Sequence, residues 1–274
     1  MKKKVNNPAQ KKFKTFGKNF CDSMKALILC GGFARRLYPI SDFVPKALLT
    51  LNGVPLVEYI LSKLEDVKGM EKLYISTNLR FKNQFEYWLN LRKRAGLSSE
   101  FSLIVEPSTD ESNKFGAVRG IAYDIEKGKI DDDLLIIAGD NFFTFDLAEI
   151  VNEASKQRLP AIMVYDVKDK EKAKNFGVVA VSKDKTIKEF EEKPQKPKST
   201  LISTGIYYLP KEYVGMVSQY IKETGKSDDI GEFIKWLAKK TKVIAVKPKK
   251  GEWFDIGTLD GYRELFHKHN RVKH

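Results

Sequence analysis

The chain holds two cysteines, Cys21 and Cys30, among 274 residues. Two thiols cannot staple a fold of this size, and their spacing matches no zinc or redox motif, so both are expected to be reduced in a cytoplasmic protein. Apolar runs such as Ala26–Cys30 and Leu134–Ala138 fall far short of the roughly 20 residues a membrane-spanning helix needs. A soluble chain without a membrane partner is expected. No Gly-Lys-Ser/Thr follows the first glycines, which excludes a Walker A loop, and no Gly-x-Gly-x-x-Gly dinucleotide fingerprint is present. Histidine is scarce: His267, His269 and His274 form an HxH-like group on a basic helix end, read as a solvated terminus rather than a metal site.

What the sequence does have is apolar substance, 42% hydrophobic and 11% aromatic residues, enough to build a core without metals or disulfides. Its 49 Lys+Arg against 36 Asp+Glu give a net charge of +13. That excess is concentrated at the start, where residues 1–23 carry seven lysines against the single acid Asp22. This segment has no apolar stretch suited to a secretory signal and reads as a solvated, disordered basic extension. A basic tail of this kind could bind nucleic acid or anionic lipid, but a short charge run reads first as a floppy extension, so nucleic acid is not expected as a partner.

From Met24 onward, short β-rich runs alternate with amphipathic stretches, which predicts an α/β fold with a doubly wound, mostly parallel, Rossmann-like sheet flanked by helices. Strands are predicted at Lys25–Cys30, Lys72–Ser76, Phe101–Val105, Leu134–Ala138 and Ala161–Val167, and helices at about Pro55–Val67, 80–95, Phe115–Glu126 and 146–157. The texture then changes. Val178–Val181, Ile187–Phe190 and Leu201–Tyr208 read as consecutive strands around the turn Lys193–Lys198, a β-rich insert rather than another βα unit. Helices at about 210–223 and 230–240, a strand Lys242–Val246 and a helix from Leu259 close the chain. One domain over 24–274 is expected, in two parts, 24–167 and 168–274.

Four clusters carry candidate chemistry, three of them where strands give way to loops, the edge at which open α/β sheets bind ligands. Leu29-Cys30-Gly31-Gly32 follows the first strand, and the glycine pair lets backbone approach a phosphate while Arg36 adds a bidentate cation. A tight turn would use the same glycines. Lys46 in Val44-Pro45-Lys46 can offset phosphate charge, or serve solubility alone. Asp140 in Gly139-Asp140-Asn141, at a strand's C-terminal end, is placed to hold Mg²⁺ or to close an Asx turn. Asp255 in Trp253-Phe254-Asp255-Ile256-Gly257-Thr258 is a second carboxylate, or the cap of the final helix.

Taken in order, Gly-Gly…Arg-Leu, Pro-Lys, Gly-Asp-Asn, Phe-Gly-Val, Glu-Lys-Pro, Thr-Gly and Trp-x-Asp-x-Gly-Thr resemble the sugar-1-phosphate nucleotidylyltransferase family from Met24 to about Tyr262. The likeness is greatest to the short glucose-1-phosphate thymidylyltransferase branch, on the expectation that no β-helix domain follows the Asp255 motif. The resemblance implies attack by a hexose 1-phosphate on the α-phosphorus of a nucleoside triphosphate, giving a nucleotide-sugar and pyrophosphate. It implies that Leu29, Gly31, Gly32, Arg36, Glu106 and Gly116 bind the nucleotide and that Arg36, Lys46 and Asp140 are catalytic. It further implies that Asn141, Gly177, Glu192, Lys193, Thr204, Gly205 and Trp253 bind the sugar, that Asp140 with Asp255 holds Mg²⁺, and that 24–167 is mainly nucleotide-binding and 168–274 mainly sugar-binding and closing.

Two departures bear on specificity. Ala34-Arg35 stands where the family has Gly-Thr, which stiffens the loop and adds a cation. Glu106 stands near a position where thymidylyl and uridylyl enzymes often have glutamine. An amide offers a pyrimidine both donor and acceptor, whereas an ionised carboxylate only accepts, as the N–H groups of guanine require. By family likeness alone the reading stays glucose 1-phosphate with dTTP or UTP. Mannose-1-phosphate guanylyl transfer and a non-catalytic regulatory subunit of the same fold are the alternatives, and homo-oligomerisation stays open.

Overall fold

Successive side chains of the opening strand β1 (Met24–Leu29) alternate between two apolar layers, Ala26 and Ile28 on one face and Leu27 on the other. A strand that buries both faces belongs in the middle of a sheet covered on each side. The computed structural model that shows this describes residues 23–33, 43–97 and 101–269. The basic tail, Cys21, Arg35, Arg36 and His274 lie outside the described residues.

After β1 come a 3-10 turn (Lys46–Leu48), a small hairpin of β2 (Thr50–Leu51) and β3 (Val54–Pro55), then α1 (Leu56–Leu64), β4 (Met70–Asn78) and α2 (Lys82–Arg94). Next are β5 (Phe101–Glu106), α3 (Ala117–Gly128), β6 (Asp133–Ala138), β7 (Asn141–Phe143), α4 (Ala148–Gln157), β8 (Ala161–Asp166) and α5 (Lys170–Ala173). The remainder is β9 (Gly177–Val181), β10 (Ile187–Glu192), β11 (Leu201–Leu209), α6 (Lys211–Val214), α7 (Met216–Thr224), α8 (Ile230–Lys240), β12 (Ile244–Val246), β13 (Trp253–Asp255) and α9 (Leu259–His269). None of these helices is long and apolar enough to cross a membrane.

Among the described residues the main sheet runs β10-β9-β11-β6-β1-β4-β5, with β8 against β11 and β12 against β8. β1 is parallel to both β4 and β6, and β4 to β5. The chain thus steps outward from β1 through β4 to β5 and then returns to the other side of β1 with β6. Ligands of open α/β sheets bind at such a reversal, outside the carboxyl ends of the strands. Helices α1, α2 and α4 cover one face and α3, α7 and α8 the other.

The expected β-rich insert is present, with β9 and β10 forming a hairpin and β11 running on in the main sheet, antiparallel to β6 and to β8. The predicted helix 210–223 is two helices meeting at Gly215. An antiparallel ribbon of β7 and β13 pairs Asn141 with Asp255 and Phe143 with Trp253, and three-residue strands of this kind are too short to show a period. The ribbon packs in a small core of Leu49, Leu51, Leu56, Phe142, Phe254, Ile256 and Leu265.

Beneath α1 and α2 lies a buried ion pair. Arg92 meets Glu58, Trp88 Nε1 donates to Glu58 Oε1 at 2.9 Å, and the guanidinium lies over the rings of Trp88 and Phe101. Glu58→Ala leaves a buried cation without its carboxylate and is expected to cost about 3 kcal/mol. Glu58→Ala combined with Arg92→Leu should cost less than Glu58→Ala alone, as read from urea unfolding midpoints.

Candidate active site

The carboxyl ends of four parallel strands meet on one edge because their registers align: Leu29 faces Ser76 and Ala138, and Asn78 faces Glu106. Beyond the strands the alignment is carried by backbone bonds, Cys30 N–H to Ser76 C=O at 2.8 Å and Gly139 N–H to Leu29 C=O at 2.8 Å. Gly139 has to be glycine here, since a Cβ would lie 2.5 Å from Cys30 Sγ and 2.8 Å from the Leu29 oxygen. Asn78 Nδ2 donates to Gly31 C=O at 2.9 Å and fixes the start of the glycine loop.

A cavity of about 570 Å³ opens on this edge, lined by Leu29, Gly31, Gly32, Lys46, Glu106 and Gly116, with Glu111, Lys114 and Asp228 among its other walls. The six include every described residue expected to bind nucleotide. The start of α3 at Ala117 lies on its rim, but the helix's first amides are already taken: Ala117 N–H bonds to Asp228 C=O at 2.9 Å, and Val118 and Arg119 N–H bond to Ser227 C=O, each at 3.0 Å. The wall of this cavity is therefore partly built by the loop before α8, more than 100 residues along the chain. Asp228 was not foreseen, because nothing local in the sequence marks such a contact.

Glu106 ends β5 at the back of the cavity, 7% exposed. Its carboxyl occupies space that Gly120 leaves, where a Cβ would stand 2.7 Å from Oε1. Behind it Asp124 of α3 is fully buried. Ser76 Oγ lies between the two, 3.0 Å from Asp124 Oδ1 and 3.4 Å from Glu106 Oε1. Burial pushes Glu106 up to about 7, opposed by the Ser76 hydroxyl, and pushes Asp124 up to about 8, with the charge of Glu106 adding to the effect. Raised to about 7, Glu106 is part protonated near neutral pH and can donate as well as accept. Asp124 was also not foreseen, although its place three residues after Ile121 on the apolar stripe of α3 is the signal a buried acid leaves in sequence.

A second cavity of about 200 Å³ is lined by Asp140, Asn141, Gly177, Glu192, Lys193, Thr204, Gly205, Trp253 and Asp255, with Phe190 and Tyr207 also on its walls. All the residues expected to bind sugar and metal meet here, though they come from both halves of the chain. The ribbon sets their places: Ile256 N–H bonds to Asp140 C=O at 2.9 Å, and Trp253 Nε1 donates to Asn141 Oδ1 at 2.9 Å. Asp255 sits in β13 rather than capping α9, and its Oδ1 accepts from Gly257 N–H at 2.8 Å. Lys193 adopts the left-handed conformation, φ +44°, at the end of β10 and reaches Glu192, Nζ 3.4 Å from Oε1. Burial and the charge of Asp229 raise Glu192, and Lys193 opposes them. The Thr204 hydroxyl donates to Met163 C=O at 2.9 Å, so this side chain serves the wall first.

Lys46 joins the two cavities. It lines the first, and its Nζ lies 3.2 Å from Oδ2 of Asp140, which lines the second. The ammonium is 14% exposed and the carboxylate 37%, so an entering anion can reach both. Cys30, by contrast, is a free buried thiol whose pKa burial drives far upward, which leaves it no nucleophile at neutral pH. His269 packs edge-on against Phe142 and Phe254, and burial lowers its pKa. Among the described residues, no three His, Cys, Asp or Glu side chains gather as a metal cluster.

Comparison with known proteins gives a consistent result. The family model described as Nucleotidyl transferase matches residues 25–271. The bifunctional protein GlmU of Methanocaldococcus jannaschii is 31% identical over 235 residues, 85% of this chain and 51% of the relative. A Sulfolobus acidocaldarius protein assigned as a mannose-1-phosphate guanyltransferase is 28% identical over 88% of this chain and 62% of its own length. The chain spans about half the length of the GlmU proteins it matches. A crystal structure from Bacillus anthracis, assigned as a glucose-1-phosphate thymidylyltransferase in complex with a sucrose, superposes with a TM-score of 0.74 at 26% identity, covering 92% of this chain and 97% of that one.

The raised carboxyls make stability fall with pH. The native state keeps protons on Glu106 and Asp124 that the unfolded chain releases near pH 4, so stability present at about pH 4 is lost as pH rises through about 7 to 8. Urea midpoints at about pH 5 and pH 8 should show the loss, and Glu106→Gln should reduce it; an unchanged slope in that variant would contradict the assignment.

Proposed function

We propose that this chain, which belongs to the nucleotidyl transferase family, transfers a nucleoside monophosphate from a nucleoside triphosphate to a hexose 1-phosphate. The observation that carries the reading is the Lys46–Asp140 pair at 3.2 Å, shared by a larger cavity fit for a nucleotide and a smaller one walled by Glu192, Lys193 and Trp253. A sugar-phosphate oxygen attacks the α-phosphorus, the new P–O bond forms, the bond to the β-phosphate oxygen breaks, and pyrophosphate leaves with the electron pair. Such a transfer needs positioning and charge neutralisation more than a protein nucleophile.

In this reading Lys46 turns from Asp140 toward the reacting phosphates and offsets their negative charge. Arg36 holds the departing phosphates. Glu192 accepts hydrogen bonds from sugar hydroxyls, Lys193 takes the sugar phosphate, and the Trp253 ring stacks beside the hexose. Asp140 and Asp255 fit Mg²⁺: both line the smaller cavity, and this ion takes one or two carboxylates and completes its shell with water and substrate phosphate. When bound, Mg²⁺ would polarise the phosphate oxygens and draw the two anionic substrates together.

Glucose 1-phosphate with dTTP or UTP is the pair we favour, in keeping with the likeness to the Bacillus anthracis protein. Guanylyl transfer is the second reading, because Glu106 offers a carboxyl where an amide would fix a pyrimidine. Pyrophosphate release with Mg²⁺ across five nucleoside triphosphates and several hexose 1-phosphates should single out one pair. Asp140→Asn should lower turnover at least about 100-fold while circular dichroism and the melting curve stay close to wild type. Full activity in that variant would remove the metal assignment, and no release from folded wild-type protein would favour a regulatory subunit.

A further inference from the structure

At the back of the larger cavity two carboxyl groups, Glu106 and Asp124, share the Ser76 hydroxyl, the Ser108 hydroxyl also faces Glu106, and no ion pair to either carboxyl is found among the described residues. Ser76 has one hydroxyl proton and can donate it to Asp124 or to Glu106, not to both. Asp124 Oδ2 is buried and has no hydrogen-bond partner. A buried carboxylate in that position would carry its full desolvation cost, and a second one beside it would add repulsion. The arrangement is satisfied when the pair holds protons. Glu106 reaches the cavity and Asp124 does not, so the proton state of the inner acid is passed to the outer one across Ser76.

We infer that Asp124 is a positioning residue for nucleobase choice: by sharing protons with Glu106 across Ser76, it sets whether the cavity presents a donor–acceptor edge or a double-acceptor edge. This rests on the proposed nucleotide-binding role of the larger cavity. Protonated Glu106 donates its O–H to uracil or thymine O4 and accepts N3–H with its other oxygen. Ionised Glu106 accepts N1–H and an N2–H of guanine together. The pocket therefore favours UTP or dTTP when the pair is protonated and moves toward GTP as the pair ionises. The raised values of both acids put this change near neutrality. Other titratable groups bordering the pair are Cys30, whose thiol stays protonated, and Lys46, Glu111, Lys114 and Asp228 on the cavity wall.

The test is equilibrium binding of UTP and GTP with Mg²⁺ to the full chain between about pH 5.5 and 9, which does not depend on turnover. The UTP-to-GTP affinity ratio should fall at least about tenfold, 1.4 kcal/mol, across that range, in a broad change reflecting two coupled steps. Asp124→Asn, close to isosteric, should contract the change to one ordinary step, because a single acid remains. Ser76→Ala should move the change to higher pH, since the ionised form loses its donor. Glu106→Gln should bind UTP better than GTP at every pH. Infrared carbonyl bands of the nucleotide-free protein should report two buried acids titrating in wild type and one in Asp124→Asn. A pH-independent ratio in wild type, or the same profile in Asp124→Asn as in wild type, overturns the inference. Binding with the expected profile but no pyrophosphate release would sink the transfer reading and leave this one standing.

Discussion

The hydrogen bond from Gly139 N–H to Leu29 C=O decides what the rest of the molecule can do. It extends the β1–β6 ladder one residue past the strands and holds the two loops of the reversal point side by side. On one side follows the glycine loop that borders the larger cavity, and on the other Asp140. Any side chain at 139 would push Cys30 and the Leu29 carbonyl away, so the residue type is dictated by closeness of two backbones. The parallel ladders of β1 with β4 and β4 with β5 bring Ser76, Asn78 and Glu106 to the same edge. Loop chemistry is thus placed by a rigid sheet, which lets weak local interactions hold charged groups in a fixed relation.

A second constraint comes from the small ribbon. Strands of three residues have no stability of their own, and β7 with β13 persists because Phe142, Phe254 and Ile256 share a core with Leu49, Leu51 and Leu265. Leu49 follows the turn that carries Lys46, and Asp140 precedes β7. One apolar cluster therefore sets both ends of the Lys46–Asp140 pair. The pair's partly exposed position matters more than its strength: a partly solvated ion pair contributes little to folding and can be exchanged for a phosphate at small cost.

How much of this was legible in the sequence depended on the length over which a signal repeats. The parallel strands and long helices announce themselves by alternation and by a 3.6-residue stripe, and they lie where the pattern put them, as at β6 and α8. Glycine, proline and acid clusters marked the ends of those strands, and Asp140, Asn141, Glu192, Lys193, Gly205 and Trp253 do meet in one cavity. What stayed hidden has physical reasons. The ribbon is too short for a period. The return of β11 into the main sheet is a pairing choice made by distant strands, and Gly205, at φ +75°, lets it pair with β8 on both sides of an irregularity. Asp228 reaches the cavity only because carbonyls of its loop satisfy the first amides of α3. Arg36 lies outside the described residues, so its expected place beside the phosphates rests on sequence alone.

With the larger cavity proposed to hold the nucleotide, Glu106 shows why residue type alone would not determine recognition. In water a carboxylate and an amide have different hydrogen-bonding patterns at pH 7, and the sequence places Glu106 among pure acceptors. Inside the protein the comparison is between a neutral acid, which has one donor and one acceptor edge, and an ion without a counter-charge. With Asp124 buried behind it and one shared hydroxyl, the neutral form is favoured, and a neutral acid has the same donor–acceptor pattern as an amide. The change from glutamine to glutamate is then conservative in hydrogen-bonding pattern below the range where the pair titrates, and it becomes a change of specificity above that range. A glutamine would fix the choice of base. In the proposed reading the carboxyl makes that choice depend on a second residue, Asp124, set back from the cavity, and the dependence arises from the low polarity around it that folding of α3 onto β4 and β5 creates.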